Sequence, residues 1–327
     1  MRAVALCLLA IVFAHPALSE CVGSNLIDAL SAEDRAALRE RVAQHPYPEG
    51  NFWRATKGAS TLHVVGTMHL ADPRFVPMVN TVRPYVVDAD TVFLEATEAD
   101  MKALEARMLS DPSMMFIQTG PTLPDLLSEG DWARLTQRME QRGIPGFFAA
   151  KMQPWYAAMM MGVPACAMDL MTERNGLDKR LSVIAEGAGV ETRALEDGEA
   201  LLRAFAEEPM DEQIDMLSTF LATDADEAAG FATMVDAYFA GKHRELWEFT
   251  ILHGKSQPGR TPEQWEELFA EAEQALLIDR NIAWMDVLLP AVSEGNHVVA
   301  VGAAHLSGED GVLNLLAEAG YTLERLD

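Results

Sequence analysis

Basic residues, cysteines and long apolar runs are all scarce in this 327-residue chain, and each scarcity removes a class of function. Only 25 lysines and arginines stand against 50 aspartates and glutamates, a formal charge of −25 at pH 7. Such a field repels phosphate backbones and anionic lipid, and no lysine/arginine cluster interrupts it, so nucleic acid is not an expected partner. The acidity falls on solvated helix faces such as Glu263 to Glu273 and does not by itself define a metal site. Past the amino terminus no run of about twenty apolar residues occurs, so no helix is expected to hold the chain in a membrane. Two hydrolase signatures are also missing: there is neither His-Glu-x-x-His nor Gly-x-Ser-x-Gly.

The amino terminus itself has one charge at Arg2, an apolar stretch from Ala3 to Phe13 and small residues up to Ser19. This pattern predicts a signal peptide over residues 1–19 and a protein exported to the periplasm or outside the cell. Glu20 stands where lipidation at Cys21 would need a small residue, so a soluble exported protein is expected. Of the three cysteines, Cys7 falls in the signal, which leaves Cys21 and Cys166. They could form a disulfide in an oxidising compartment or remain two thiols, since sequence does not bring their Cα atoms together.

The remaining chain, 20–327, reads as a single α/β domain. A central mixed sheet built from βαβ units is flanked by helices, with large helical insertions near 99–164 and 207–290. Ser31 opens a capped helix that stops before Pro46. Phe52 to Thr56 and Thr61 to Val65 flank Lys57-Gly58-Ala59-Ser60 as a hairpin, and a helix starting at Asp72-Pro73 leads to a short strand from Thr91 to Glu95. That strand is expected parallel to and beside the one at Thr61. Met159, Met160 and Met161 suggest soft thioether ligands, but consecutive residues on a helix point in different directions and core packing is the favoured reading. Further strands are expected at Val190 to Leu195, His297 to Val301 and Tyr321 to Leu326, with one long helical segment from Pro262 to Leu289.

Against this background one phrase is repeated. Thr61-Leu62-His63-Val64-Val65-Gly66-Thr67-Met68-His69-Leu70 and Val298-Val299-Ala300-Val301-Gly302-Ala303-Ala304-His305-Leu306 each read as a buried strand feeding Gly-x-x-His. The glycine permits a sharp turn or a close backbone approach, and the histidine follows on the loop beyond. If the strands are neighbours, His69 and His305 converge at the carboxyl edge of the sheet. A duplication kept for turn geometry would explain the glycines but not both histidines. Glu95, at the end of another predicted strand, would complete a site of two imidazoles and one carboxylate for a divalent ion. Taken alone, Glu95 could equally cap a helix or join a salt bridge. On the long helix, Arg280 could hold a carboxylate and Asn281 could donate to a developing oxyanion, although Arg280 could also simply pair with Asp279. The other histidines beyond the predicted signal, His45, His63, His243, His253 and His297, share no context and read as structural or solvated.

The chain resembles the TraB/GumN family, whose animal members include the Tiki proteases. The matching pieces, in order, are Gly66-Thr67-Met68-His69-Leu70, Glu95, Lys151-Met152-Gln153-Pro154-Trp155, Gly176-Leu177-Asp178, Leu195-Glu196, Arg280-Asn281 and Val301 to Gly311, with Gly320 to Leu326 resembling the family's end. One stretch departs: many bacterial members place a glutamine a few residues after Leu-Glu, whereas here Glu196 runs into Asp197-Gly198-Glu199. The resemblance implies an α/β fold related to the erythromycin-esterase-like and haem-binding ChaN-like proteins. It also implies a peptidase dependent on a divalent metal such as manganese, cobalt or zinc, acting on a peptide or protein substrate. His69, Glu95 and His305 would be the ligands, with Glu95, Arg280 and Asn281 the catalytic candidates. The alternatives are a non-catalytic haem- or metal-binding protein of the same fold, or an envelope or polysaccharide-associated factor.

Overall fold

In the computed structural model the described residues are 21, 23–173, 175–222, 226–257 and 259–327, so the expected signal peptide lies outside them. The hairpin forms as expected: β1 (Phe52–Lys57) and β2 (Ser60–Thr67) pair antiparallel. They are joined through Gly58, whose φ of 58° is the left-handed conformation that a two-residue hairpin loop requires. The other strands are β3 (Thr91–Leu94), β4 (Glu191–Ala194), β5 (Gly295–Gly302) and β6 (Thr322–Arg325). Their order across the sheet is β4-β3-β5-β2-β1-β6. From β4 to β2 every pairing is parallel, and β1 alone runs against its two neighbours.

This order corrects one expectation. β3 is parallel to β2 but not beside it, because β5 lies between them and pairs with both. The physical reason is burial: Val298 through Val301 are at most 1 % exposed, and such a continuous apolar run is stable only where both faces of a parallel sheet are covered. Val298 and Ala300 pack with Val65, Val92 and Leu94 under the helices Phe75–Val87 and Leu177–Ala188. Val299 and Val301 face the other way, with Val64 and Phe93, onto the helices Asp279–Ala291 and Val312–Glu318. The strand alternation therefore sends Leu94 to the first layer and the next residue, Glu95, toward the second.

The long segment expected from Pro262 to Leu289 is interrupted. Helix Pro262–Glu273 passes through a π-turn, Gln274–Ile278, before continuing as Asp279–Ala291, and the Asp279 N–H reaches back to the Gln274 carbonyl. The helical stretches on either side of β4 meet in a third core, where Leu135, Met139 and Met161 pack with Leu217 and Leu221. The methionine run divides as its spacing requires: Met161 is buried, while Met159 is 37 % exposed. Cys21 and Cys166 are disulfide-bonded, with Cα atoms 5.2 Å apart, which ties the start of the described chain to this helical layer. No helix among the described residues is long and apolar enough to cross a membrane.

Candidate active site

β2 and β5 are adjacent and parallel in a register that pairs Gly66 with Val301 and Thr67 with Gly302, so both Gly-x-x-His phrases leave the same edge of the sheet. Neither glycine is there for a positive φ. Each is there for close approach: a Cβ on Gly66 would lie 2.8 Å from Leu306 Cδ1, and one on Gly302 would lie 3.2 Å from Glu95 Oε1. The first motif's glycine thus makes room for the leucine of the second motif. The second glycine makes room for the carboxylate.

Glu95 is held by two donors: Oε1 accepts the Gly302 N–H at 2.6 Å and Oε2 accepts Arg280 Nη2 at 2.8 Å. Burial pushes its carboxyl upward, but His305, which is protonated only in the acid range where Glu95 titrates, together with His69, Arg280 and the Gly302 N–H, outweighs burial and holds it at about 2. It is a carboxylate at neutral pH. His305, on the single turn Ala303–His305, is 4 % exposed. Its Nδ1 donates to Asn281 Oδ1 at 2.7 Å, since Asn281 Nδ2 is turned to the Asp310 carbonyl at 2.9 Å. This leaves His305 Nε2 as an acceptor, and it takes Arg280 Nη1 at 3.2 Å. Burial, with help from Arg280 and His69, pushes this imidazole down to about 4, so it is neutral.

His69 is in the opposite state. Its Nδ1 lies 3.3 Å from Asp178 Oδ2, on the first turn of helix Leu177–Ala188, and that carboxylate pulls the imidazole up to about 9. The ring is 61 % exposed, so solvent screens the pair and the direction matters more than the size. The loop carrying Asp178 is clipped to the His69 loop by the Leu177 N–H on the Met68 carbonyl at 3.0 Å. Gly176 lets the two backbones touch, because a Cβ there would sit 2.6 Å from His69 Cα.

Arg280 connects the parts. Nε and Nη2 donate to the two oxygens of Glu196 at 3.0 and 2.6 Å, Nη2 also reaches Glu95, and Nη1 is shared between His305 and the Leu276 carbonyl at 3.0 Å. All five N–H groups of the guanidinium are engaged. The accepting carbonyl belongs to the π-turn, an irregularity often found where a helix serves a site. Trp284, one turn further on, donates Nε1 to Glu196 Oε2 at 3.1 Å and places its ring 5.0 Å from the guanidinium carbon. The pairing of Arg280 with Asp279 does not occur; Asp279 instead accepts Gln274 Nε2.

The structure brings His69, Glu95, Arg280, Asn281 and His305 to one edge of the sheet. It changes the part that Asn281 can play. The residue is 2 % exposed and its amide donates to the Asp310 and His305 carbonyls, so it orients His305 and has no N–H directed at a substrate oxygen. Asp178 received no role from sequence reasoning, although an acid directly after Gly176-Leu177 at a helix start was a usable sign. Trp284 was readable as the i+4 neighbour of Arg280.

Two imidazoles and a carboxylate are donor types that suit a divalent ion, and both rings are oriented through Nδ1 in the manner of metal-ligating histidines. Asp178 Oδ1 and Thr67 Oγ1, buried close in the chain to His69 and its partner, have no hydrogen-bond partner, which also suits a polar guest. As the side chains stand, however, no group of three His, Cys, Asp or Glu among the described residues is arranged to hold a metal. Arg280 occupies Glu95 Oε2 and His305 Nε2 instead.

A doubly covered mixed sheet whose parallel strands present two Gly-x-x-His loops and a buried carboxylate at one edge defines an α/β protein with a histidine-lined site there. The model of the TraB/PrgY/gumN family matches residues 51–325, and the chain belongs to that family. No curated protein gives a significant match.

Proposed function

We propose that this protein is an exported hydrolase of peptide bonds that works with a divalent ion, manganese, cobalt or zinc, held by His69, Glu95 and His305. The reading is carried by the fixing of both imidazoles through Nδ1, by Asp178 and Asn281, which leaves Nε2 of each ring as the ligating atom beside one ionised carboxylate once His69 has released its proton and Arg280 its contact with His305. When bound, the ion would supply Lewis acidity toward the scissile carbonyl and activate water. Asn281 keeps His305 in the tautomer that bears its proton on Nδ1, and Asp178 sets the orientation of His69. Glu95 keeps its charge through the physiological range because nearby cations outweigh its burial. Arg280 is not free to clamp a substrate carboxylate, since each of its N–H groups already has an acceptor; it acts on the site by holding Glu95 and Glu196. The Cys21–Cys166 disulfide supports an oxidising compartment.

The test is elemental analysis of protein purified without chelator, paired with cleavage of a peptide library in manganese, cobalt and zinc. His69→Ala and His305→Ala should each lose bound metal and cleavage, and Asp178→Asn should weaken metal binding by about tenfold. Full activity in the double histidine variant would reject the reading.

A further inference from the structure

Arg280 contacts two atoms that the proposed ion would need, and yet it is also anchored where an ion would not reach. Of its five hydrogen bonds, two go to Glu95 and His305. The other three go to Glu196 twice and to the Leu276 carbonyl, and the Trp284 ring lies alongside. Glu196 is itself fixed by the Trp284 indole N–H. The guanidinium therefore has a berth that survives if its contacts with Glu95 and His305 are given up.

We propose that Arg280 is the resident cation of this site: it satisfies Glu95 and His305 while no ion is bound, and is retained by Glu196 when a divalent ion takes their place. The charges support the exchange. With no ion, one guanidinium is shared by two carboxylates; once it is held by Glu196 alone, that pair is neutral, and the ion faces Glu95 together with the charge that Asp178 keeps when His69 releases its proton. The exchange also avoids leaving Glu95 as a buried unpaired carboxylate, which is costly. Glu196 is then a positioning residue whose effect on the ion is exerted through Arg280. This inference rests on the metal reading given above.

Cobalt(II) titration followed by visible d–d absorbance tests it on the full chain without any activity measurement. Three variants are compared with the unaltered protein, and their folding is checked by thermal melts. Arg280→Lys keeps the positive charge but cannot bridge Glu95, His305 and Glu196 at once. The proposal expects it to bind cobalt about tenfold more tightly, and Arg280→Gln more tightly still, because the competing contacts are gone. Glu196→Gln should bind several-fold more weakly, because the guanidinium loses its berth and stays on Glu95. Unchanged or weaker cobalt binding by Arg280→Lys overturns the proposal while leaving the metal reading in place. Absence of cobalt absorbance in all four proteins overturns both. If Arg280→Gln does not fold, Arg280→Lys and Glu196→Gln carry the comparison, with opposite directions expected.

Discussion

Asp178 and Asn281 perform the same task on the two histidines with opposite electrostatic results. Each offers an oxygen to an Nδ1, but Asp178 brings a charge and raises His69 to about 9, whereas buried Asn281 brings none and leaves His305 near 4. Asp178→Asn should therefore bring the His69 titration, followed by NMR at its ring protons, down toward 6.5, the ordinary value for the side chain. The linkage sign follows: a group raised on folding contributes stability below 6.5 and loses it as pH rises through about 9. His243 behaves in the reverse sense. Burial lowers it to about 4 against the opposing pull of the Gly50 carbonyl, so its contribution is present above 6.5 and is lost as pH falls toward 4. Denaturant midpoints measured across that window should fall with acid, and His243→Gln should flatten the slope. These single residues mark the limit of what the sequence discloses. The motif histidines were legible because they repeat, and Glu95 because it ends an apolar run. Asp178 and Trp284 left only a local sign, and the roles of these two and of Glu196 were not legible, because they depend on which loops the sheet brings together.

Among the elements, the strands were legible to within two residues at their ends, since hydrophobic alternation and glycine-marked turns are local signals. Their order was not, because nothing local tells a βαβ unit whether another strand will enter between its members. The π-turn was invisible for a similar reason: the apolar pattern of Ala275 to Ile278 fits an unbroken helix, and only contact with Arg280 gives the irregularity a use. The loop before helix Leu177–Ala188 makes an element-level prediction. Gly176→Ala would force a methyl group to within 2.6 Å of the His69 backbone, which cannot be relieved by rotating a side chain. The clip between the two loops should open, at a cost of about 1–3 kcal/mol in chemical denaturation, and the raised His69 titration should be lost with it.

For the molecule as a whole, the disulfide is a covalent constraint outside the cores that closes a loop with a sequence separation of 145 residues. The sequence could supply the pair of cysteines but not their proximity, which depends on how the helical layer folds back. Replacing both by serine should lower stability by about 2–5 kcal/mol, read as a fall in the denaturant midpoint with the slope nearly unchanged. A midpoint equal to that of the unaltered protein would show that the helical layer holds the amino-terminal segment without the covalent tie.

The position of β5 has a consequence for how the chain acquires its site. The strand that completes the middle of the sheet is Gly295–Gly302, the fifth of six in chain order, and it is the one that joins β2 to β3. Without it, the pairings of the finished fold reduce to β1 with β2 and β3 with β4, and no strand hydrogen bonds join the two pairs. Closing the sheet across so long a stretch of chain is entropically slow. A chain cut short before Gly295 consequently lacks both the seam of the fold and His305. In this architecture, possession of the second histidine follows directly on the joining of the two halves of the sheet, and only the edge strand β6 is added later.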